Sequence, residues 1–91
     1  MGLKENIHIE ATNTFIKHYN KFDPLLKSQV KETLTLFQND PSHPSLGNKK
    51  IAGQKNVYEI RISRNFMITY SKYGNTVILA KIGKHDIISN P

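Results

Sequence analysis

The sequence predicts a small α+β domain: a two-helix hairpin packed on a small, twisted, mainly antiparallel sheet in the order β-α-α-β-β-β. Three observations predict it. An Asp-Pro dipeptide at 23–24 opens a helix directly after a shorter amphipathic stretch. The apolar spacing is helical up to Phe37 and turns to every second residue from Val57 onward. A length of 91 residues allows one hydrophobic core, so residues 1–91 are read as a single domain.

The elements follow in order. Asn6, Ile7, His8, Ile9 and Glu10 alternate polar and apolar, as in a short strand with one face buried. Thr12 stands where a helix needs a cap, and Phe15, Ile16, Tyr19 and Phe22 then recur on one helical face. Asp23 accepts hydrogen bonds from the open N–H groups of a first turn. Pro24 suits the first helical position, because its missing N–H would have had no partner there. Leu26, Val30, Leu34 and Phe37 give this second helix its apolar stripe, and Lys27, Gln29, Lys31 and Glu32 take the exposed positions. Asp40-Pro41 ends it near Asn39, since the residue before a proline is pushed out of the helical region. The joint between the helices is a residue or two, which makes them an αα-hairpin.

Residues 41–56 contain Pro41, Pro44, Gly47 and Gly53 and have no period. They read as a loop, long enough to be a candidate for function. From Val57, the apolar Tyr58, Ile60 and Ile62 alternate with Glu59, Arg61 and Ser63. Turns at 63–65 and 73–75 lead into strands at 66–70 and 76–82, an antiparallel meander. The last strand is nearly continuous in apolar residues, as a strand buried on both faces is, and Gly83 is expected to break it. Tyr58, Ile60 and Ile62 should face the helices, and Arg61 the other side. Lys81 has the parity opposite to Ala80 and Ile82.

Composition removes whole classes of chemistry. With no cysteine, disulfides, thiolate zinc sites and cysteine nucleophiles are excluded, and a reducing cytoplasm is the natural compartment. The opening residues lack the apolar core of a signal peptide, and no run approaches the roughly 20 apolar residues of a membrane span, so no membrane partner is expected. Gly2 is not followed by Ser or Thr at position 6, which is Asn6, so myristoylation is not indicated. His8, His18, His43 and His85 show no metal-ligand spacing. No glycine-rich phosphate loop or GxSxG motif is present. Neither a metal nor another cofactor is expected.

The net charge is +6, and its placement is the stronger signal. Up to residue 40 the lysines are matched by acids. From residue 41, Lys49, Lys50, Lys55, Arg61, Arg64, Lys72, Lys81 and Lys84 face only Glu59 and Asp86, and this half carries the whole excess. Such a field attracts and orients a polyanion. Solubility, or masking by an acidic partner, would use the same charges.

Three stretches carry a resemblance to a known family. They are His43-Pro44-Ser45-Leu46, the run from Val57 through Tyr58-Glu59-Ile60-Arg61-Ile62-Ser63-Arg64-Asn65-Phe66 to Tyr70, and Ile82-Gly83-Lys84-His85-Asp86. Together they cover about half of the chain, and with the element order they resemble the RelE/ParE superfamily of type II toxin–antitoxin toxins. The resemblance implies a ribosome-dependent endoribonuclease that cleaves mRNA in the A site and so inhibits translation. The chemistry it implies is attack of the ribose 2′-OH on the adjacent phosphate. That needs a base, cations for the phosphate and an acid for the leaving 5′-oxygen.

The same resemblance distributes the roles. His85 matches the C-terminal histidine of YafQ-like and YoeB-like toxins, and histidine is suited to proton transfer near neutral pH. Read alone, it is equally a surface histidine beside Asp86. Arg61 matches a basic or histidine position on the first meander strand and would grip a phosphate with two hydrogen bonds; otherwise it is a solvated arginine paired with a cross-strand acid. Lys81 matches an arginine of YafQ-like members, supplying charge without the planar fork. His43 matches their loop histidine, or is a plain surface residue. Phe66 is positioned to stack on a base, or belongs to the core. Lys49, Lys50, Lys55, Arg64 and Lys84 suit contacts with mRNA or ribosomal RNA phosphates. Many relatives carry an arginine where this chain has Met67. The implied partner is a cognate antitoxin, a flexible and partly acidic segment laid on the helices or over the basic cleft. Two other functions fit the same fold: a ParE-like inhibitor of DNA gyrase without nuclease chemistry, and a catalytically degenerate RNA-binding member.

Overall fold

The computed structural model describes residues 7–84. Its elements are β1 (His8–Ala11), α1 (Asn13–Asn20), α2 (Pro24–Asn39), a 3-10 turn (Pro44–Leu46), β2 (Lys49–Lys50), β3 (Val57–Arg61), β4 (Phe66–Tyr73) and β5 (Thr76–Lys84). They form one sheet in the order β1-β5-β4-β3-β2. All neighbours are antiparallel except β1 and β5, which are parallel. The β-α-α-β-β-β order is present, with β2 added at the sheet edge.

Local chemistry sets both helix starts. The Thr12 hydroxyl accepts from Phe15 N at 3.1 Å, and Asp23 accepts from Leu26 N at 2.8 Å with Pro24 in the first turn. α1 is shorter than its apolar face suggested. Lys21 caps it, so Phe22 lies beyond the helix, and Ile16 is exposed. Eight residues make about two turns, too few to align four apolar positions. Phe22 instead turns inward and meets Phe66 edge-on, ring centres 5.8 Å apart.

The core lies between the helices and one face of the sheet. Phe15 of α1 and Val30 and Phe37 of α2 pack with Ile60, Ile68, Tyr70, Val77, Leu79 and Ile82, and Tyr58 and Ile62 join the margin. Leu46 is the notable member, 1% exposed although it comes from the segment read as a loop. Burying a leucine contributes about 2 kcal/mol. The 41–56 segment is therefore tied down by its own 3-10 turn and by β2, which pairs with β3.

Three expectations for the last strand are corrected. Gly83 does not break β5; it pairs with Met67, and the strand runs to Lys84. Backbone pairing needs no side chain, so glycine weakens a strand without ending it. The second correction concerns register. Lys81 stands opposite Thr69 while Leu79 stands opposite Tyr70, which leaves Ala80 as the extra residue of a β-bulge. Leu79 and Ile82 both reach the core, and Ala80 and Lys81 are turned together to the other face. Lys81 thus opposes Ile82, as expected, but shares its face with Ala80. Nor is β5 buried on both faces: Ile78 and Ala80, on the face without helices, are only half-buried.

Candidate functional site

Both helices lie on the core face; among the described residues only the 51–56 loop covers the second face of the sheet, where Glu59, Met67 and Thr69 are buried and Arg61 and Lys81 are exposed. Register places its residues in rows across the strands. One row runs Lys49, Glu59, Thr69, Lys81. The row toward the β3–β4 turn runs Arg61, Met67, Gly83, and the row on the other side runs Val57, Ser71, Ile78. Arg61 and Lys81 therefore share that face two strands and one row apart, roughly 12 Å at the usual strand and residue spacings. Long side chains from both can converge on one group between them.

Neither Arg61 nor Lys81 has a carboxylate partner among the described residues. Arg61's cross-strand neighbour is Met67, not an acid. The cross-strand ion pair is instead Lys49 with Glu59, at 3.5 Å. Glu59 is 7% exposed and uses Lys49 to balance its charge, so that lysine is less free to bind an anion than Lys81. Glu59 went unremarked in the sequence as anything but an exception to the basic half. Its shared parity with Arg61 is the signal that places it here.

The loop fixes Arg61 from the side. A β-carbon added at Gly47 would sit 3.8 Å from Arg61 Nη2, so the arginine lies alongside that glycine. Gly47 has φ of +54°, a conformation glycine adopts without strain. The neighbouring Asn48 holds the segment in place. Tyr70 donates its hydroxyl to Asn48 Oδ1 at 2.6 Å, and Asn48 Nδ2 donates to Pro41 O at 3.0 Å. Tyr70 stacks on Tyr58 and tilts against Phe37, and burial pushes its hydroxyl above the ordinary tyrosine value.

His43 caps the 3-10 turn. Its Nδ1 accepts from Ser45 N at 3.1 Å and lies 2.8 Å from Ser45 Oγ. Accepting from a backbone N–H puts the ring proton on Nε2, the nitrogen left for other work. No hydrogen bond joins His43 to Arg61 or Lys81.

The other candidates scatter. Phe66 has the parity of Ile68 and packs on Phe22, so it lies on the helix side, away from Arg61 and Lys81. A base stacked on Phe66 would not share a site with those cations. Lys84 pairs with Phe66 and has the same helix-side parity. Lys50 pairs with Tyr58 at the sheet edge, Arg64 lies in the β3–β4 turn and Lys55 in the 51–56 loop, all three exposed. His85 lies outside the described residues. Among the described residues there is no group of three potential metal ligands, and no helix is long and apolar enough to cross a membrane.

One hollow opens on this face. About 360 Å³ in volume, it is lined by Ile51 and Gln54 of the loop and by Val57, Thr69, Ser71, Ala80 and Lys81 of the sheet. Sequence patterning carried no signal for it, because the loop and three strands each supply a part.

No sequence-family model matches the chain, and no curated protein is significantly similar to it in sequence. Solved structures are similar in fold. A chain of the RelB–RelE antitoxin–toxin complex from Methanococcus jannaschii is 27% identical, with a TM-score of 0.71 over 89% of this chain and 95% of that one. The YoeB dimer from Staphylococcus aureus is 16% identical, with a TM-score of 0.74 over 89% of this chain and 99% of that one. A chain of the DinJ–YafQ toxin–antitoxin complex from E. coli is 14% identical, with a TM-score of 0.71 over 92% and 98%. The fold is the RelE-like fold of toxins from RelE/ParE-type toxin–antitoxin systems.

Proposed function

We propose that this chain is the toxin of a type II toxin–antitoxin pair, a cytoplasmic endoribonuclease that cuts mRNA in the ribosomal A site without a metal. The observation that carries the reading is the pair Arg61 and Lys81. Both stand on the open face, without a carboxylate partner among the described residues, in a fold shared with RelE, YoeB and YafQ. In the proposed reaction the 2′-oxygen attacks the adjacent phosphorus, and the bond from phosphorus to the 5′-oxygen breaks. The products are a 2′,3′-cyclic phosphate and a 5′-hydroxyl. The Arg61 guanidinium takes two phosphate oxygens and Lys81 adds charge as negative charge builds on them. His85, which follows β5 in sequence, is the residue suited to pass the protons, with His43 Nε2 as the second imidazole candidate. Lys49, Lys50, Lys55, Arg64 and Lys84 supply the surrounding field for mRNA and ribosomal RNA.

The partner is a cognate antitoxin. Similar chains occur in complexes named for RelB and DinJ antitoxins, and an acidic segment over the open face would neutralise the cations that bind RNA. A second reading, RNA binding without cleavage, is favoured by one observation. Met67 is buried between Arg61 and Gly83, at the centre of the proposed site, and offers a phosphate nothing.

The test is expression in cells or in a coupled translation extract, with mRNA 5′ ends mapped for the wild type and for His85→Ala. Codon-phased cuts in translated mRNA, lost in the variant, support the reading. Intact mRNA with blocked DNA supercoiling would replace it with gyrase inhibition, and cutting of naked RNA would remove the ribosome from it.

A further inference from the structure

The hollow beside Lys81 has the composition of a nucleobase site, and we infer that it takes the base of the nucleotide whose phosphate Lys81 holds. The inference rests on the RNA-binding reading of the open face and adds to it a determinant of base preference.

Four features point the same way. The hollow has a volume of about 360 Å³ and apolar walls from Ile51, Val57 and Ala80. That is room for one planar base out of water. Its polar groups are Gln54, Thr69 and Ser71. An amide and two hydroxyls present donors and acceptors without net charge, which is the chemistry that reads a base edge. The one cation of its lining is Lys81, so the charge that would hold a phosphate stands in the wall and not in the floor. Finally, the row of Val57 and Ser71 lies two residues along the strands from the row of Thr69 and Lys81. That is roughly 7 Å, comparable to the reach across a ribose from phosphate to base.

The β-bulge makes the pairing of the two functions possible. In an unbroken strand Ala80 and Lys81 would point to opposite faces; the bulge turns both to the hollow. Ala80 leaves space in the wall while Lys81 places its charge beside that space. An RNA strand bound here has its phosphate between Arg61 and Lys81 and its base on the far side of Lys81, in the hollow.

The experiment is an NMR titration of the isotope-labelled full chain with each of the four nucleoside 3′-monophosphates and, separately, with inorganic phosphate. The expected result is that phosphate moves signals around Arg61 and Lys81 only. The nucleotides in addition move those of Gln54 and Ser71, with one base bound about tenfold more tightly than the weakest. Ser71→Leu fills the hollow and should abolish the base-dependent part while leaving the phosphate part. Gln54→Ala, in the exposed loop, should narrow the difference between bases, and it serves if Ser71→Leu fails to fold. Identical maps for phosphate and nucleotides, or base-dependent shifts that persist in a folded Ser71→Leu or are undiminished in Gln54→Ala, would overturn the inference. Base-selective binding by a chain that leaves translated mRNA intact would overturn the cleavage reading and uphold the pocket. Cleavage without base-dependent shifts would do the reverse.

Discussion

The Thr12 hydroxyl donates to the Ala80 carbonyl at 2.9 Å while accepting from Phe15 N at 3.1 Å. One side chain thus caps α1 and binds the carbonyl of Ala80, the residue to which the bulge in β5 gives no counterpart in β4. The bulge is what turns Lys81 to the open face. Thr12→Val keeps the shape and removes both hydrogen bonds, and should cost about 2 kcal/mol in urea unfolding. Thr14→Val, one turn-position away and exposed, should change stability by less than about 0.5 kcal/mol.

The Tyr70–Asn48 hydrogen bond is the corresponding strut for the 41–50 segment. Tyr70→Phe keeps the ring contacts with Tyr58 and Phe37 and should cost about 1 kcal/mol. It should also change the pH dependence of stability. Burial raises the Tyr70 value above the usual 10.0, so the folded state holds this proton more tightly than the unfolded chain. The resulting stabilisation is complete below pH 10 and is lost as pH rises through the raised value. Unfolding midpoints should fall less steeply above pH 10 in Tyr70→Phe than in the wild type.

Gly47 tests the loop conformation without touching a charge. At φ of +54° an alanine is strained, while its β-carbon would meet Arg61 at ordinary contact distances of 3.8 Å and more. Gly47→Ala should therefore lower stability by about 1 kcal/mol through backbone strain, with Arg61 left in place. A loss of RNA cleavage much larger than the loss of folded protein would show that the loop itself positions the arginine.

The ion pair makes the two lysines of one row unequal. Among the described residues, Lys49 is balanced by Glu59 and Lys81 has no such partner. In filter-binding of single-stranded RNA across a salt series, Lys81→Ala should reduce the slope of log K against log salt by about 0.7, one phosphate contact. Lys49→Ala should reduce it less, because Lys49 is already engaged by Glu59 and so contributes less than a full phosphate contact.

The parts legible in the sequence are the local ones. Thr12, Asp23 and Pro24 mark helix starts because a cap acts within three residues of itself. Arg61 could be assigned to its face because alternation in β3 is unbroken. Alternation failed at Lys81. Val77 and Leu79 are core residues, and so is Ile82; no single parity satisfies all three, and only the pairing with β4 reveals the bulge between them. The Asn48–Tyr70 strut spans 22 positions and the Thr12–Ala80 bond spans 68, and neither leaves a trace in local pattern. Phe66 shows the same limit from the other side. The sequence leaves it either a stacking platform or a core residue until its neighbour across the fold, Phe22, is known.

The central claim is that Arg61 and Lys81 hold the scissile phosphate, and the cleavage rate constant on programmed ribosomes tests it most directly. Arg61→Ala should lower the single-turnover rate by about 100-fold or more at saturating ribosome. Arg64→Ala, which removes the same charge from the neighbouring turn, should weaken binding and leave that rate within a few-fold of the wild type. Equal losses in the two variants, or an Arg61→Ala enzyme that cuts at the wild-type rate once bound, would contradict the account.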